Sequence, residues 1–367
     1  MKRYLIVLKE KRNIDFLKYY NASNIEVHMG IIVFAHMSKE DVYRLEENEY
    51  IDSIEEDGED TTDSGVYLES QLSYPFKLMN IENFHSEGFK GKGFKVGILD
   101  TGVQKHVNLK IAGGVNAFDN SVPYDAGLRS SHGTRVAGVV NAQGIDGNII
   151  GVAPEAELYA IRIDDGTGGI NRTVWSSQIA GISWAVENGL DAVNCSFSSP
   201  VDSLARKKAF ELAHKSGLAI FCSGGNNQIS GDVTTHTTPY PARYPFTIAT
   251  ANVKSDKTRN ANSSIGRGLN FSNGGTSIKS TSISSSATIS DTYATGSGTS
   301  YASPATMGLY ILYKQKYGGT REKILQRMSV NSEKLGDSLW YGAGIPKYPT
   351  INYENIQIRG QYNADEL

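Results

Sequence analysis

The chain has 367 residues, with 36 basic against 39 acidic side chains and a formal net charge of −3. That is long enough to bury substantial cores in two or three domains. The charge balance gives nucleic-acid binding no support, and no run approaches the roughly 18 apolar residues that cross a bilayer. The two cysteines, Cys195 and Cys222, are too few for a disulfide framework and read as buried free thiols in apolar strands.

In chain order, residues 4–8 read as a strand, 13–20 as a helix, 25–28 and 31–35 as two strands, 38–47 as a helix with Asp41 placed for capping, and 51–54 as a last strand. This βαββαβ order predicts a small α+β, ferredoxin-like domain over 1–57. Residues 58–72 are polar, acidic and rich in Ser, Thr and Gly, as a cleavable linker should be. Over 73–367, strands at 94–102, 158–163, 192–196, 218–223 and 247–250 alternate with helices at 173–188 and 203–216. Such alternation predicts an α/β domain with a doubly wound parallel sheet.

Four segments carry chemistry. Phe94-Lys95-Val96-Gly97-Ile98-Leu99-Asp100-Thr101-Gly102 reads as a buried parallel strand delivering Asp100 to its carboxyl end, where ligand sites gather in α/β sheets. Ser130-Ser131-His132-Gly133-Thr134-Arg135-Val136-Ala137-Gly138 places His132 at the start of a small-residue helix. Cys222-Ser223-Gly224-Gly225-Asn226 follows an apolar strand and lacks the glycine spacing and lysine of a phosphate loop. Gly298-Thr299-Ser300-Tyr301-Ala302-Ser303-Pro304 sets Ser300 among small residues before the apolar run 307–313, where unpaired helix amides and the helix dipole favour negative charge. Taken singly, Ser300 reads equally as a helix cap, Asp100 as a turn residue and His132 as a helix-terminal residue. Together, Asp, His and Ser follow one of the chain orders in which an acid, base and nucleophile triad is assembled.

On these residues the chain resembles the subtilisin-type serine proteases, across most of 73–341. Gly151-Val152-Ala153-Pro154, Leu158-Tyr159-Ala160 and Lys334-Leu335-Gly336-Asp337 resemble further segments of that family. The resemblance implies that Ser300 is the nucleophile, His132 the general base and Asp100 the acid that orients it. Asn226 then shares the oxyanion with the Ser300 amide, the substrate is a peptide or protein, and no cofactor is required for the chemistry. Ser196-Phe197-Ser198 and Gly166-Thr167-Gly168-Gly169 fall where the family has two edges that pair with an extended substrate. Residues 1–57, ending in Ile54-Glu55-Glu56-Asp57, resemble the family's inhibitory propeptide, which assists folding and occupies the cleft of a self-processing zymogen. Within the linker the expected maturation bond is Glu69-Ser70, a cut after an acid like those made by proteases that trim lanthipeptide leaders, with His236 and Arg243 near the primary pocket. A propeptide implies export, with a signal sequence outside this chain; action inside the cell is the alternative.

Departures from the family pattern bear on specificity. Arg135 and Ala305 stand where many subtilisins carry histidines, Ser198 and Ser199 replace paired glycines on the cleft wall, and Tyr301 sits beside Ser300; together these last changes are expected to narrow the primary pocket. Structural calcium in the family uses an aspartate whose counterpart here is Asn108, together with the loop 143–149; Asp146, Asn148, Asp164 and Asp165 are further oxygen sources. The competing classes are a noncatalytic binding protein on a protease fold and an acyl transferase that passes the acyl group to an amine.

Overall fold

The computed structural model describes residues 1–62, 74–119, 123–125, 130–164, 172–227, 236–284 and 288–350, with 60–62 and 172 described by backbone alone. The N-terminal unit is a four-stranded antiparallel sheet of β1 (Lys2–Leu8), β2 (Ser23–His28), β3 (Ile32–Met37) and β4 (Ile51–Glu56) in the order β2-β3-β1-β4. Between β3 and β4 lies α1 (Lys39–Glu46). Its cap is reciprocal: the Ser38 hydroxyl accepts from the Asp41 amide at 3.1 Å and donates to the Asp41 carboxylate at 2.7 Å. The other expected helix is a 3₁₀ turn, Asp15–Tyr20, started by an Asn13 side chain that accepts from the Asp15 amide and ended by Asn21 at φ 53°. A segment this short between two breakers favours the tighter helix.

Strand alternation gives the sheet two apolar faces. Tyr4, Ile6, Leu8, Val33 and Ala35 pack with Leu17 and Leu45 in the unit's own core. Leu5, Val7, Ile32 and Phe34 turn the other way, into a cluster shared with the larger unit.

The next elements are β5 (Glu59–Thr62), α2 (Tyr74–Met79), α3 (Ile81–Ser86), β6 (Lys95–Asp100), β7 (Ile111–Asn116), α4 (His132–Asn141), β8 (Glu157–Arg162), β9 (Arg172–Val174) and α5 (Trp175–Glu187). They are followed by β10 (Ala192–Cys195), β11 (Phe197–Ser198), α6 (Leu204–Lys215), β12 (Ala219–Ser223), β13 (Ile248–Val253), β14 (Leu269–Gly274), α7 (Thr299–Tyr317) and α8 (Arg321–Val330). Seven of the strands make one parallel sheet in the order β14-β13-β12-β10-β6-β8-β7. Its strands are nearly all buried because helices cover both faces. Cys195 and Cys222 sit in register on β10 and β12 as free, buried thiols, and burial, reinforced by Cys222, pushes the Cys195 thiol well above its usual range. The polar stretch 255–290 adds β14 as another parallel strand, and Ile278–Thr281 pairs antiparallel with Tyr293–Gly296. No described helix is long and apolar enough to cross a membrane.

The linker expected from residue 58 onward opens instead as a strand. β5 is the middle of a three-stranded antiparallel sheet, flanked by β9 and β11, and the Trp175 amide donates to the Gly58 carbonyl at 2.6 Å. Two carboxylates just before β5 cap helices of the larger unit. Glu55 accepts from the Ala205 amide at 2.7 Å, the Leu204 amide at 3.1 Å and the Ser203 hydroxyl, all at the start of α6. Asp57 accepts from the Ser176 amide at 2.8 Å and the Ser176 hydroxyl at the start of α5. Orphan amides and the positive helix end both favour carboxylates there.

Burial lifts the Asp57 carboxyl above its ordinary range, and its bonds to Ser176 offset only part of this. A carboxyl lifted in the docked state contributes most below its free pKa and loses that contribution as pH rises through the lifted value. In a Ser300→Ala background, Asp57→Asn should therefore gain melting temperature relative to Asp57 as pH rises from about 4 to 7. A gap that stays constant across that range would refute the assignment.

Candidate active site

The site lies at the carboxyl ends of neighbouring parallel strands. Register sets β6 beside β10 through Leu99 and Cys195, and β10 beside β12 through Cys195 and Cys222. The residues just past those pairs, Asp100, Ser196 and the 223–226 turn, share one end of the sheet, the place where α/β folds build ligand sites. The first turns of α4 and α7 bring His132 and Ser300 to the same end, and the two helices pack against each other.

His132 Nδ1 donates to Asp100 at 2.8 Å from Oδ1 and 3.0 Å from Oδ2, with both residues almost wholly buried. Asp100 Oδ1 also accepts from the Thr101 amide at 2.8 Å. The close approach of α4 to β6 needs a residue without a side chain at 133, since a Cβ on Gly133 would lie 2.2 Å from the Gly102 carbonyl and 3.1 Å from Asp100 Cβ. With Nδ1 committed to the carboxylate, His132 Nε2 is buried without a hydrogen-bond partner among the described residues. This fixes the tautomer that leaves Nε2 able to accept a proton.

Ser300 is buried in the first turn of α7. Pro304, four residues on, has no N–H to give the Ser300 carbonyl. That carbonyl instead accepts from the Ser196 hydroxyl at 3.2 Å. Ser196 is held by Asn194 Nδ2 at 2.8 Å, and Asn194 Oδ1 accepts from the Ser303 hydroxyl at 2.7 Å. The proline thus frees an acceptor that ties the first turn of α7 to the residue after β10, a link that the sequence does not announce.

Asn226 is oriented through its oxygen, which accepts from the Thr299 amide at 2.9 Å and the Thr299 hydroxyl at 3.2 Å. Its Nδ2 is left buried with no partner among the described residues. Gly298, at φ 148°, carries the chain past this amide, and a Cβ there would approach Nδ2 to 3.2 Å. Among the described residues, two buried nitrogens, Nε2 of His132 and Nδ2 of Asn226, therefore have no hydrogen-bond partner, the second beside the start of α7.

The expected substrate edges divide. Phe197 and Ser198 form β11 and pair with Thr62 and Thr61 of β5. Gly168 and Gly169 lie outside the described residues, and the opposite edge is β9, Arg172–Val174, pairing with Glu59, Asp60 and Thr61. Ser199 pairs with Tyr240 through two backbone bonds of 2.9 Å. Tyr301 does not narrow a pocket: it is buried in the core, and a Cβ on Gly296 would meet its hydroxyl. Adjacent helix positions point about 100° apart, so Tyr301 lies on a different face of α7 from Ser300. Glu69 and Ser70 lie outside the described residues, while His236 and Arg243 are exposed, with Arg243 donating to the His236 carbonyl at 3.4 Å.

Asn108 is wholly occupied by the loop it was expected to help bind calcium. Its Oδ1 accepts from the Gln143 amide at 3.0 Å and the Ile145 amide at 3.1 Å, and its Nδ2 donates to the Ile149 carbonyl at 2.9 Å. Both polar atoms of the Asn108 amide are thus engaged by backbone groups of that loop. Among the described residues, no three or more His, Cys, Asp and Glu side chains gather as metal ligands.

Comparison with known proteins agrees with this geometry. The Subtilase family profile matches residues 91–344. Subtilisin DY of Bacillus licheniformis is 36% identical over 276 residues, covering 75% of this chain and 96% of that protein. Subtilisin E of Bacillus subtilis (strain 168) is 34% identical over 316 residues, covering 85% and 78%, and M-protease of Shouchella clausii (strain KSM-K16) is 30% identical over 342 residues, covering 92% and 82%. With the parallel sheet, the buried His132–Asp100 pair and a match of this extent, the chain belongs to the subtilase family of serine endopeptidases.

Proposed function

We propose that the chain is a self-processing zymogen of a serine endopeptidase, with residues 1–57 acting as an intramolecular inhibitor. His132 Nε2 takes the Ser300 hydroxyl proton as Oγ attacks the substrate carbonyl. Asp100 holds Nδ1–H and stabilises the resulting imidazolium. The oxyanion is met by Asn226 Nδ2 and the Ser300 amide, and His132 returns the proton to the leaving amine, producing an acyl-enzyme. Water, deprotonated by the same imidazole, then releases the acyl group and regenerates Ser300. No step calls on a cofactor.

The observation that carries this reading is β5. It lies as an extended chain between two strand edges, with Thr62 opposite Phe197 and Thr61 opposite Ser198. The pairing is antiparallel, so the residue before Phe197 is the one toward which β5 runs. That residue, Ser196, bonds the backbone of Ser300. A substrate strand held in this register meets the nucleophile with the residue that follows the one paired with Phe197. In this sequence Asp63 follows Thr62, so self-cleavage is proposed between Asp63 and Ser64, with Glu69-Ser70 as the rival bond. Preference for glutamate at the cut through His236 and Arg243 has less support, since both are exposed.

Incubating the full chain beside a Ser300→Ala form and sequencing the N-termini tests this directly. Wild type should accumulate a chain beginning at Ser64 and the alanine form should stay intact. A new terminus at Ser70 would favour the rival bond, and processing of the alanine form would end the self-cleavage reading.

Asn226→Ala should lower kcat by about 10²- to 10³-fold with little change in KM, the magnitude known for the equivalent donor of subtilisin itself. Undiminished turnover would remove Asn226 from the oxyanion site. Because Asn108 holds its loop with hydrogen bonds, a chelator should leave the melting temperature unchanged. A fall that added calcium reverses would return an ion to that loop.

A further inference from the structure

Arg206 is among the largest wholly buried side chains of the molecule, and the catalytic chemistry does not use it. Its Nη2 donates to the Val201 carbonyl at 2.8 Å, its Nε to the Tyr244 hydroxyl at 3.4 Å and its Nη1 to Gln178 Oε1 at 3.4 Å. The guanidinium carbon lies 5.1 Å from the centre of the Trp175 ring, and Asp202 is reached through the Tyr244 hydroxyl, which donates to it at 2.8 Å.

This cation stands directly behind the substrate edge. Gln178, which accepts from Arg206 through Oε1, donates through Nε2 to the Thr173 hydroxyl at 3.0 Å. Thr173 is buried and belongs to β9, so its side chain marks the inward face of that strand. Directly paired residues of antiparallel strands present their side chains to the same face. A substrate side chain in register with Thr173 is therefore aimed at the Gln178 and Arg206 end of the cleft. The Trp175 ring closes one side, lying against Gly58, where a Cβ would come within 2.5 Å of the indole.

We infer that Arg206 is a specificity-determining residue that selects an acidic side chain at the substrate position paired with Thr173. That position is the third residue ahead of the one that meets Ser300. A guanidinium withdrawn from water is compensated best by a carboxylate in a charge-assisted hydrogen bond. The chain's own strand has Asp60 at that register position. The substrate class is thus an extended peptide with Asp or Glu at the fourth position before the cut, counting the cut residue as the first. The inference rests on the proposed endopeptidase reading and on the β5 register.

The test uses the processed full chain and quenched peptides of sequence Glu-Asp-Thr-Thr-Asp-Ser-Gly-Val, with Asp, Asn or Lys at the second residue. A fluorophosphonate label on Ser300 and mass spectrometry of the products first establish activity and the bond cut. Wild type should cleave the Asp peptide with kcat/KM at least about tenfold above the Asn peptide, and the Lys peptide more slowly still. Arg206→Met should bring the Asp-to-Asn ratio near one while retaining cleavage of the Asn peptide. Equal cleavage of the Asp and Asn peptides by unlabelled wild type, of which a separate sample takes the label, would overturn the inference and leave the protease reading intact. Absence of both labelling and cleavage would instead sink the protease reading and the inference with it. If Arg206→Met does not fold, the wild-type peptide series decides alone.

Discussion

The candidate site depends on one hydrogen bond between two buried groups 32 residues apart, His132 Nδ1 and Asp100. Neither group can be buried alone without a penalty of several kcal/mol, so each requires the other at contact distance. That requirement brings the first turn of α4 against the end of β6 and leaves no room for a side chain at Gly133. It also determines which imidazole nitrogen remains available. The parallel sheet supplies the rest: strands that share a direction end together, so Asp100, Ser196 and Asn226 reach one edge although they are distant in sequence.

The same economy governs the start of α7. A proline within the second turn would normally be a defect, since it removes a helix hydrogen bond. Here the freed Ser300 carbonyl accepts from Ser196, and Ser196 belongs to a chain of side chains running through Asn194 to Ser303. The loss inside the helix becomes a tie between the helix and β10. Asn226 adds a second tie through Thr299. The residue between these anchors, Ser300, has little freedom to move relative to the sheet.

How much of this the sequence disclosed follows from where each signal is written. The positions of Asp100 at the end of β6, His132 at the start of α4, Ser300 in the first turn of α7 and Asn226 in the turn after β12 were legible because the flanking apolar patterns are local and strong. β5 and β9 were not, because Glu-Asp-Thr-Thr and Arg-Thr-Val carry no apolar alternation and become strands only through pairing with each other and with β11. The helix expected from Thr173 begins at Trp175 for the same reason. The burial of Tyr301 is not legible from its place next to Ser300, because adjacency in sequence is not adjacency on a helix face. The bonds of Asn108 to its loop are not legible from position alone, since an amide in place of a carboxylate brings a donor as well as an acceptor.

On the proposed zymogen reading, substrate recognition and inhibition follow from the same contacts. β9 and β11 are short edges with backbone groups to satisfy, and any extended chain of the right direction satisfies them, whatever its side chains. Backbone pairing alone would therefore hold many peptides without discrimination. What gives β5 an advantage over a free peptide is its attachment to a domain already docked by Leu5, Val7, Ile32 and Phe34 and by the Glu55 and Asp57 caps. Those contacts raise the effective concentration of β5 at the cleft without adding a contact inside it. Cutting the chain beyond β5 would leave every one of these contacts in place. Release of the cleft would on that reading be limited by how firmly the N-terminal unit is held, and the cleft's selectivity, on the inference drawn for Arg206, by the few side chains that lie behind its edges.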